Sequence, residues 1–173
     1  LLSRQCVRRN GDDMMVWSKG NNQTFSVRSF YQCLTGVRGV KDFPWKLVWR
    51  VGVPNRVAFF AWELQWEAIL TSSNLQKRGF NLASRCVMCN SEEESVNHLL
   101  LHCDVARDFW STLLSLFGVC WVFPEGIRDT FFGWQGARIR RRSKKAWGMA
   151  PSCLVWCLWR ERNRRVFDGV ELP

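Results

Sequence analysis

The chain has 173 residues, 47% of them hydrophobic and 14% aromatic, and a formal net charge of +10. That composition excludes a disordered polyelectrolyte, and the length suits one domain, or one with a small appendage, around a real core. The charge is uneven, because ten basic side chains stand against a single acid between Arg138 and Arg165.

In chain order, residues 14–27 read as a β-hairpin. The β-prone runs MMVW and TFSV flank Lys19-Gly20-Asn21-Asn22, a stretch of turn formers. Ser26 then caps a short helix through Leu34, with Gly36 as its stop, and residues 36–46 form a linker. Pro54 opens a helix over 55–70 whose Val57, Phe60, Ala61, Leu64 and Ala68 share one stripe. A further helical turn begins at Thr71 or Ser72 and ends at Gly79. Ser91 with Glu94 has the spacing of a capping box for a helix carrying Val96, His98, Leu99 and Leu100. Asp104 caps the next helix, with Val105, Phe109, Leu113, Leu116 and Phe117 as its core stripe. The last helix starts near Pro151, a residue tolerated in a first turn, and turns from apolar to basic along its length.

Cys86 and Cys89 form a C-x2-C pair, followed by His98 and Cys103. Two thiolates on a tight turn plus two ligands from a following helix make a tetrahedral zinc site. The chain has two histidines, His98 and His102, both in this segment. Spacing leaves the fourth ligand open. His98 and His102 lie one helical turn apart on one face, whereas Cys103 joins them only if the helix unwinds before Asp104. Four protein ligands leave no open coordination position, so one structural zinc ion is expected, not a catalytic one. The fold class expected is mainly α with a small N-terminal β-hairpin, built around a small helical zinc-binding domain. Its parts are a hairpin-and-helix segment (1–46), the zinc-binding helical domain (47–117) and a basic, Trp-rich segment (118–173).

The remaining features have simpler explanations. Glu92, Glu93 and Glu94 suit the first turn of a helix, where the macrodipole favours negative charge. Asp12 and Asp13 lack the further carboxylates a two-metal site needs. Cys153 and Cys157, like Cys6, Cys33 and Cys120, read as ordinary structural thiols. No phosphate-binding loop, nucleophile elbow or H-E-x-x-H motif is present, so no enzyme activity is expected. The basic set Arg138, Arg140, Arg141, Arg142, Lys144, Lys145, Arg160, Arg162, Arg164 and Arg165 is the candidate nucleic-acid contact. Trp147, Trp156 and Trp159 interleave it, and their expected role is packing more than stacking on bases.

The N-terminal LLSRQCVRRNGDD is too charged for a signal peptide, and Ala146–Trp159 falls short of the ~20 residues a membrane span needs. With eight Cys and no secretory signal, the expectation is an intracellular protein, nuclear or cytoplasmic, without a membrane partner. A first residue of Leu instead of Met suggests a piece of something longer.

Together these residues resemble a known family. FFAWELQWEAILTSSNLQKRGF and the segment from Cys86 to Trp110 are similar to the zinc-binding domain that follows the reverse transcriptase in plant LINE-type (non-LTR) retrotransposon proteins. The matching positions are Phe60, Trp62, Thr71, Asn74, Leu75, Arg78, Gly79, Cys86, Cys89, Glu94, His98, Leu99, Cys103 and Trp110. The resemblance implies Cys103 as the fourth ligand. It also implies an accessory role beside the polymerase of a full-length parent, with RNA or DNA gripped at low sequence specificity. The alternative is a structural or protein-interaction remnant whose zinc only stabilises the fold. The paired aspartates of the polymerase and its companion endonuclease are absent from this chain.

Overall fold

Helices make up all the regular structure among the described residues of the computed structural model, which are 16–18, 24–35, 43–49, 52–137 and 139–169. Two units are distinguished, Leu1–Asp42 and Phe43–Pro173. In the first, α1 (Val27–Thr35) is opened by a reciprocal pair of serines. The Ser29 amide donates to Ser26 Oγ at 3.1 Å, and the Ser26 amide donates to Ser29 Oγ at 3.2 Å. This is a capping box with serine in both roles.

The N-terminal hairpin expected over 14–27 is corrected here. No strand occurs among the described residues, and 16–18 and 24–26 form no ladder, while 14, 15 and 19–23 lie outside the described residues. The apolar alternation that suggested strands has another use. Trp17 meets Phe25 and Phe30 edge-on, with ring centroids 5.1 and 6.0 Å apart, so these side chains gather at the start of α1. An isolated two-stranded ribbon has little stability of its own to set against that.

In the second unit, α2 (Trp45–Trp49) begins where Pro44 offers its carbonyl to the amides of Leu47 and Val48, within the stretch expected to be a linker. Pro54 stands before α3 (Asn55–Leu64). Val57, Phe60, Ala61 and Leu64 of the expected stripe are buried. Ala68 is not, because the chain leaves the helix at Gln65 and Glu67 turns it with a φ of 50°. The short α4 (Ser72–Lys77) follows and stops before Gly79, whose φ of 91° only glycine adopts freely.

The next long element, α5 (Asp104–Phe117), ends on Gly118 in the left-handed conformation. Its buried residues are Ala106, Trp110 and Leu114. The stripe expected from the sequence is displaced by one position: Phe109 and Leu116 are exposed, and Val105, Leu113 and Phe117 are only half-buried. α6 (Ile127–Trp134) and α7 (Lys144–Asp168) complete the unit, and α7 packs along α2, α3 and α5.

Pro151 lies inside α7, seven residues beyond its start, not in its first turn. A proline there removes one backbone donor, and the carbonyl four residues earlier loses its partner. That carbonyl belongs to Trp147, and the Trp134 indole N–H donates to it at 2.8 Å. The Trp147 indole returns a bond to the Trp134 carbonyl at 3.2 Å, and the two rings stack 3.9 Å apart and 10° from parallel. Trp110, Trp121 and Phe117 pack around this pair. Several of the eleven tryptophans therefore satisfy backbone groups that the helix breaks leave open.

Replacing Trp134 by Phe should cost about 1–3 kcal/mol through the unpaired buried carbonyl, with poorer packing in addition. Urea denaturation would measure it. The same substitution in a Pro151→Ala background should cost less, because alanine at that position supplies the missing backbone donor.

Candidate metal centre

The segment from Cys86 to Asp104 is short on helix and long on turns, and each turn has a local cause. The Asn90 amide donates to the Cys86 carbonyl at 2.8 Å, and Asn90 takes a φ of 56°, which closes the loop carrying Cys86 and Cys89. Asparagine tolerates this conformation better than most residues. Ser95 Oγ accepts from the His98 amide at 3.1 Å and starts the next turn. The expected capping box of Ser91 and Glu94 does not form. Ser91 Oγ donates instead to the Cys89 carbonyl, and Glu94 is fully buried.

From His98 to His102 the backbone widens into a π-turn. Its defining bond runs from the Cys103 amide to the His98 carbonyl at 2.7 Å, five residues apart instead of four. This resolves the ambiguity of the fourth ligand. In an α-helix the residue five positions on swings away, but a wider turn brings Cys103 back under His98. The helix does not unwind before Asp104, as the spacing had suggested; it expands, and Cys103 then takes an extended conformation ahead of α5. The turn leaves His102 exposed on the far side, its Nε2 2.8 Å from the Glu125 carbonyl.

The ligand atoms of Cys86, Cys89, His98 and Cys103 all lie within 4.8 Å of one another. Cys86 Sγ and Cys103 Sγ are 3.9 Å apart, and Cys89 Sγ is 3.3 Å from His98 Nε2. A tetrahedron with Zn–S bonds of about 2.3 Å has S–S edges of roughly 3.8 Å, so the donor set fits one zinc ion. With four protein donors the shell is filled, and the ion would cross-link the Cys86–Cys89 loop to the π-turn. The Glu92 carboxylate lies 3.0 Å from His98 Nδ1, on the side away from the cluster, where a carboxylate orients a ligating imidazole. The Cys86 thiol donates to Cys103, which holds Cys103 below the ordinary thiol range with help from the amides of Ala106 and Val105. The same contact, with burial, raises Cys86.

Glu94 forms a second knot beside the first. Its carboxylate accepts from Arg162 of α7, at 2.6 Å from Nη2 and 3.2 Å from Nε, and from the Ser72 amide and hydroxyl at 2.9 and 3.0 Å. Arg165 reaches the Met88 carbonyl at 3.4 Å. The acidic triplet is thus not a helix-dipole feature. Glu92 faces His98, Glu93 accepts from Ser73 Oγ at 2.8 Å, and Glu94 anchors α7.

The candidate nucleic-acid residues are split by this packing. Arg140, Arg141, Arg142, Lys144, Lys145 and Arg160 stand toward solvent, while Arg138 lies outside the described residues. Arg162 is buried, and Arg164 and Arg165 are half-buried against Glu161 at 2.9 Å each. Composition could not separate the two groups. The signals for the inward group were helical spacing, which sets Arg162 and Arg165 on the side of Val155 and Leu158, and the glutamate of the resembled motif.

The fold and the site define a helical domain organised on a three-cysteine, one-histidine zinc cluster. Residues 25–110 match the model of the family described as zinc-binding in reverse transcriptase, and over that stretch the chain belongs to that family. Over 170 residues it is 25% identical to a protein of Arabidopsis thaliana named "Putative ribonuclease H protein". The alignment covers 90% of this chain and 25% of that protein, so the chain spans about a quarter of the length of the curated relative it matches. Both findings fit a retrotransposon-type protein. No solved structure matches the chain. Among the described residues, no helix is long and apolar enough to cross a membrane.

Cys103→Ser should lower the zinc content of the purified protein well below one equivalent, whereas His102→Ala should leave it unchanged; elemental analysis distinguishes the two. Arg162→Leu, which strands the buried Glu94 charge, should cost about 3–5 kcal/mol in thermal or chemical unfolding.

Proposed function

We propose that this chain is a non-catalytic accessory module that holds RNA or DNA through its phosphates for a neighbouring reverse transcriptase. The observation that carries the reading is the entrance to α7. Arg140, Arg141 and Arg142 precede the helix, Lys144 and Lys145 open it, and no acid lies in its first turn. Among the described residues none of these five makes an ion pair. The positive end of a helix dipole normally attracts carboxylates, so cations gathered there raise a potential that only an external anion relieves. Phosphate contacts of this kind carry little sequence information, in keeping with low specificity.

The relative's name attaches ribonuclease H to a protein about four times longer. A two-metal nuclease site needs several convergent carboxylates. Among the described residues the one cluster of His, Cys, Asp or Glu able to hold a metal is the sulfur-rich zinc set, which supports an accessory reading for this part. The second reading is a protein-docking remnant. It is favoured by an apolar groove of about 550 Å³ between α5 and α7, where Val105, Phe109, Leu113 and Leu154 line the walls.

Zinc-loaded protein titrated into labelled RNA and DNA at several salt concentrations separates the readings. The triple substitution of Arg140, Arg141 and Arg142 by Gln should weaken binding uniformly across sequences and flatten the log–log salt slope by about 1 for each phosphate no longer neutralised. Unchanged affinity and slope would sink the proposal in favour of protein docking.

A further inference from the structure

The anchored face of α7 defines, by exclusion, a more exposed flank. Pro151, Val155, Leu158 and Arg162 are buried, and they share one side of the helix. On the flank away from these, at spacings of four, three and four residues, stand Trp156 and Asn163, both half-buried, and Arg160 and Phe167, both exposed. We infer that this stripe is a stacking site for unpaired nucleobases, so that the module grips single-stranded nucleic acid; the inference rests on the polyanion reading proposed above.

The chemistry alternates along the stripe as ring, guanidinium, amide and ring. Phe167 is 75% exposed, an unusual position for a large aromatic side chain on a basic helix end. Trp156 is half-buried against the core and meets Phe60 at 67° with centroids 5.4 Å apart, so part of its ring is open. Trp159 plays a different part. One contact is a stack on Phe60 at 5.7 Å and another is the Arg162 guanidinium at 5.1 Å, so it is a fixed wall and not a platform. The furrow between these side chains has a volume of about 560 Å³, within the range of small-ligand sites.

The acids beside the furrow leave its character basic. Glu161 is held by Arg164 and Arg165, and Asp168 lies at the C-terminal rim, while Arg160 projects into solvent from the middle of the stripe. Aromatic faces with guanidinium groups between them suit a strand whose bases are unstacked and whose phosphates pass alongside. A duplex presents only its backbone to such a surface, because its base faces are covered. The stripe therefore adds a preference that the cations at the entrance of α7 lack.

The test uses the full zinc-loaded chain and three labelled probes of equal length: oligouridylate, oligothymidylate and a DNA duplex. Phe167→Ala should weaken binding to one or both single strands about tenfold, leave the duplex unaffected, and preserve the salt slope. Phe167→Trp should restore the wild-type affinity. Loss confined to oligouridylate or to oligothymidylate names the strand, and loss on both names the shared chemistry. Because Phe167 is exposed, thermal melting of Phe167→Ala should match wild type. Unchanged single-strand affinity, or an equal loss on the duplex, would overturn the inference. If the Arg140–Arg142 triple variant still weakens every probe in that case, the polyanion reading stands without the stacking site. If wild type binds no probe at low salt, both fall together.

Discussion

The fully buried carboxylate of Glu94 is the constraint around which the second unit is arranged. An ionised group without solvent costs several kcal/mol unless its oxygens are matched by donors. Here three places meet: Arg162 on α7, the amide and hydroxyl of Ser72 at the start of α4, and the short stretch between the zinc loop and the π-turn, which supplies Glu94 itself. The Glu94 carbonyl also accepts from the Ser73 amide at 3.3 Å. Satisfying one carboxylate thus sets where α4 begins and where α7 crosses. The zinc ion would tie the loop to the π-turn from the other side.

Much of this was legible in the sequence where the signal was local chemistry. The Cys86–Cys89 pair, Ser26 as a cap, Pro54 ahead of α3 and Gly79 after α4 each follow from what one residue type does at one backbone position. The failures have a common origin in patterns that two structures can share. Alternating apolar residues near Trp17 and Phe25 serve an aromatic cluster as well as a strand. The capping-box spacing of Ser91 and Glu94 occurs without a helix. Pro151 read as a helix start because nothing local reveals that a distant Trp134 supplies the missing donor.

The metal ligands show the same division more sharply. Spacing alone allowed His102 or Cys103, since an α-helix favours the first. The π-turn reverses that preference, and its reason is tertiary: Leu99, Leu100 and Leu101 are all buried, which a regular amphipathic helix does not permit on one side. The wider turn leaves the Leu100 carbonyl without its helical partner, and the Trp110 indole donates to it at 2.8 Å. The leucine run, the cysteine and the tryptophan are therefore parts of one arrangement, although their motif positions are scattered.

The arginines of α7 differ in how far lysine could replace them. At position 160 a lysine would keep the charge on a flexible stem facing solvent, and phosphates accept either cation. At position 162 the planar guanidinium places Nε and Nη2 on one carboxylate and Nη1 on Asn163 at 2.9 Å. An ammonium is a point charge and cannot reproduce that fork. One helix thus carries an interchangeable cation on its outer side and an irreplaceable one within, two residues apart in the chain.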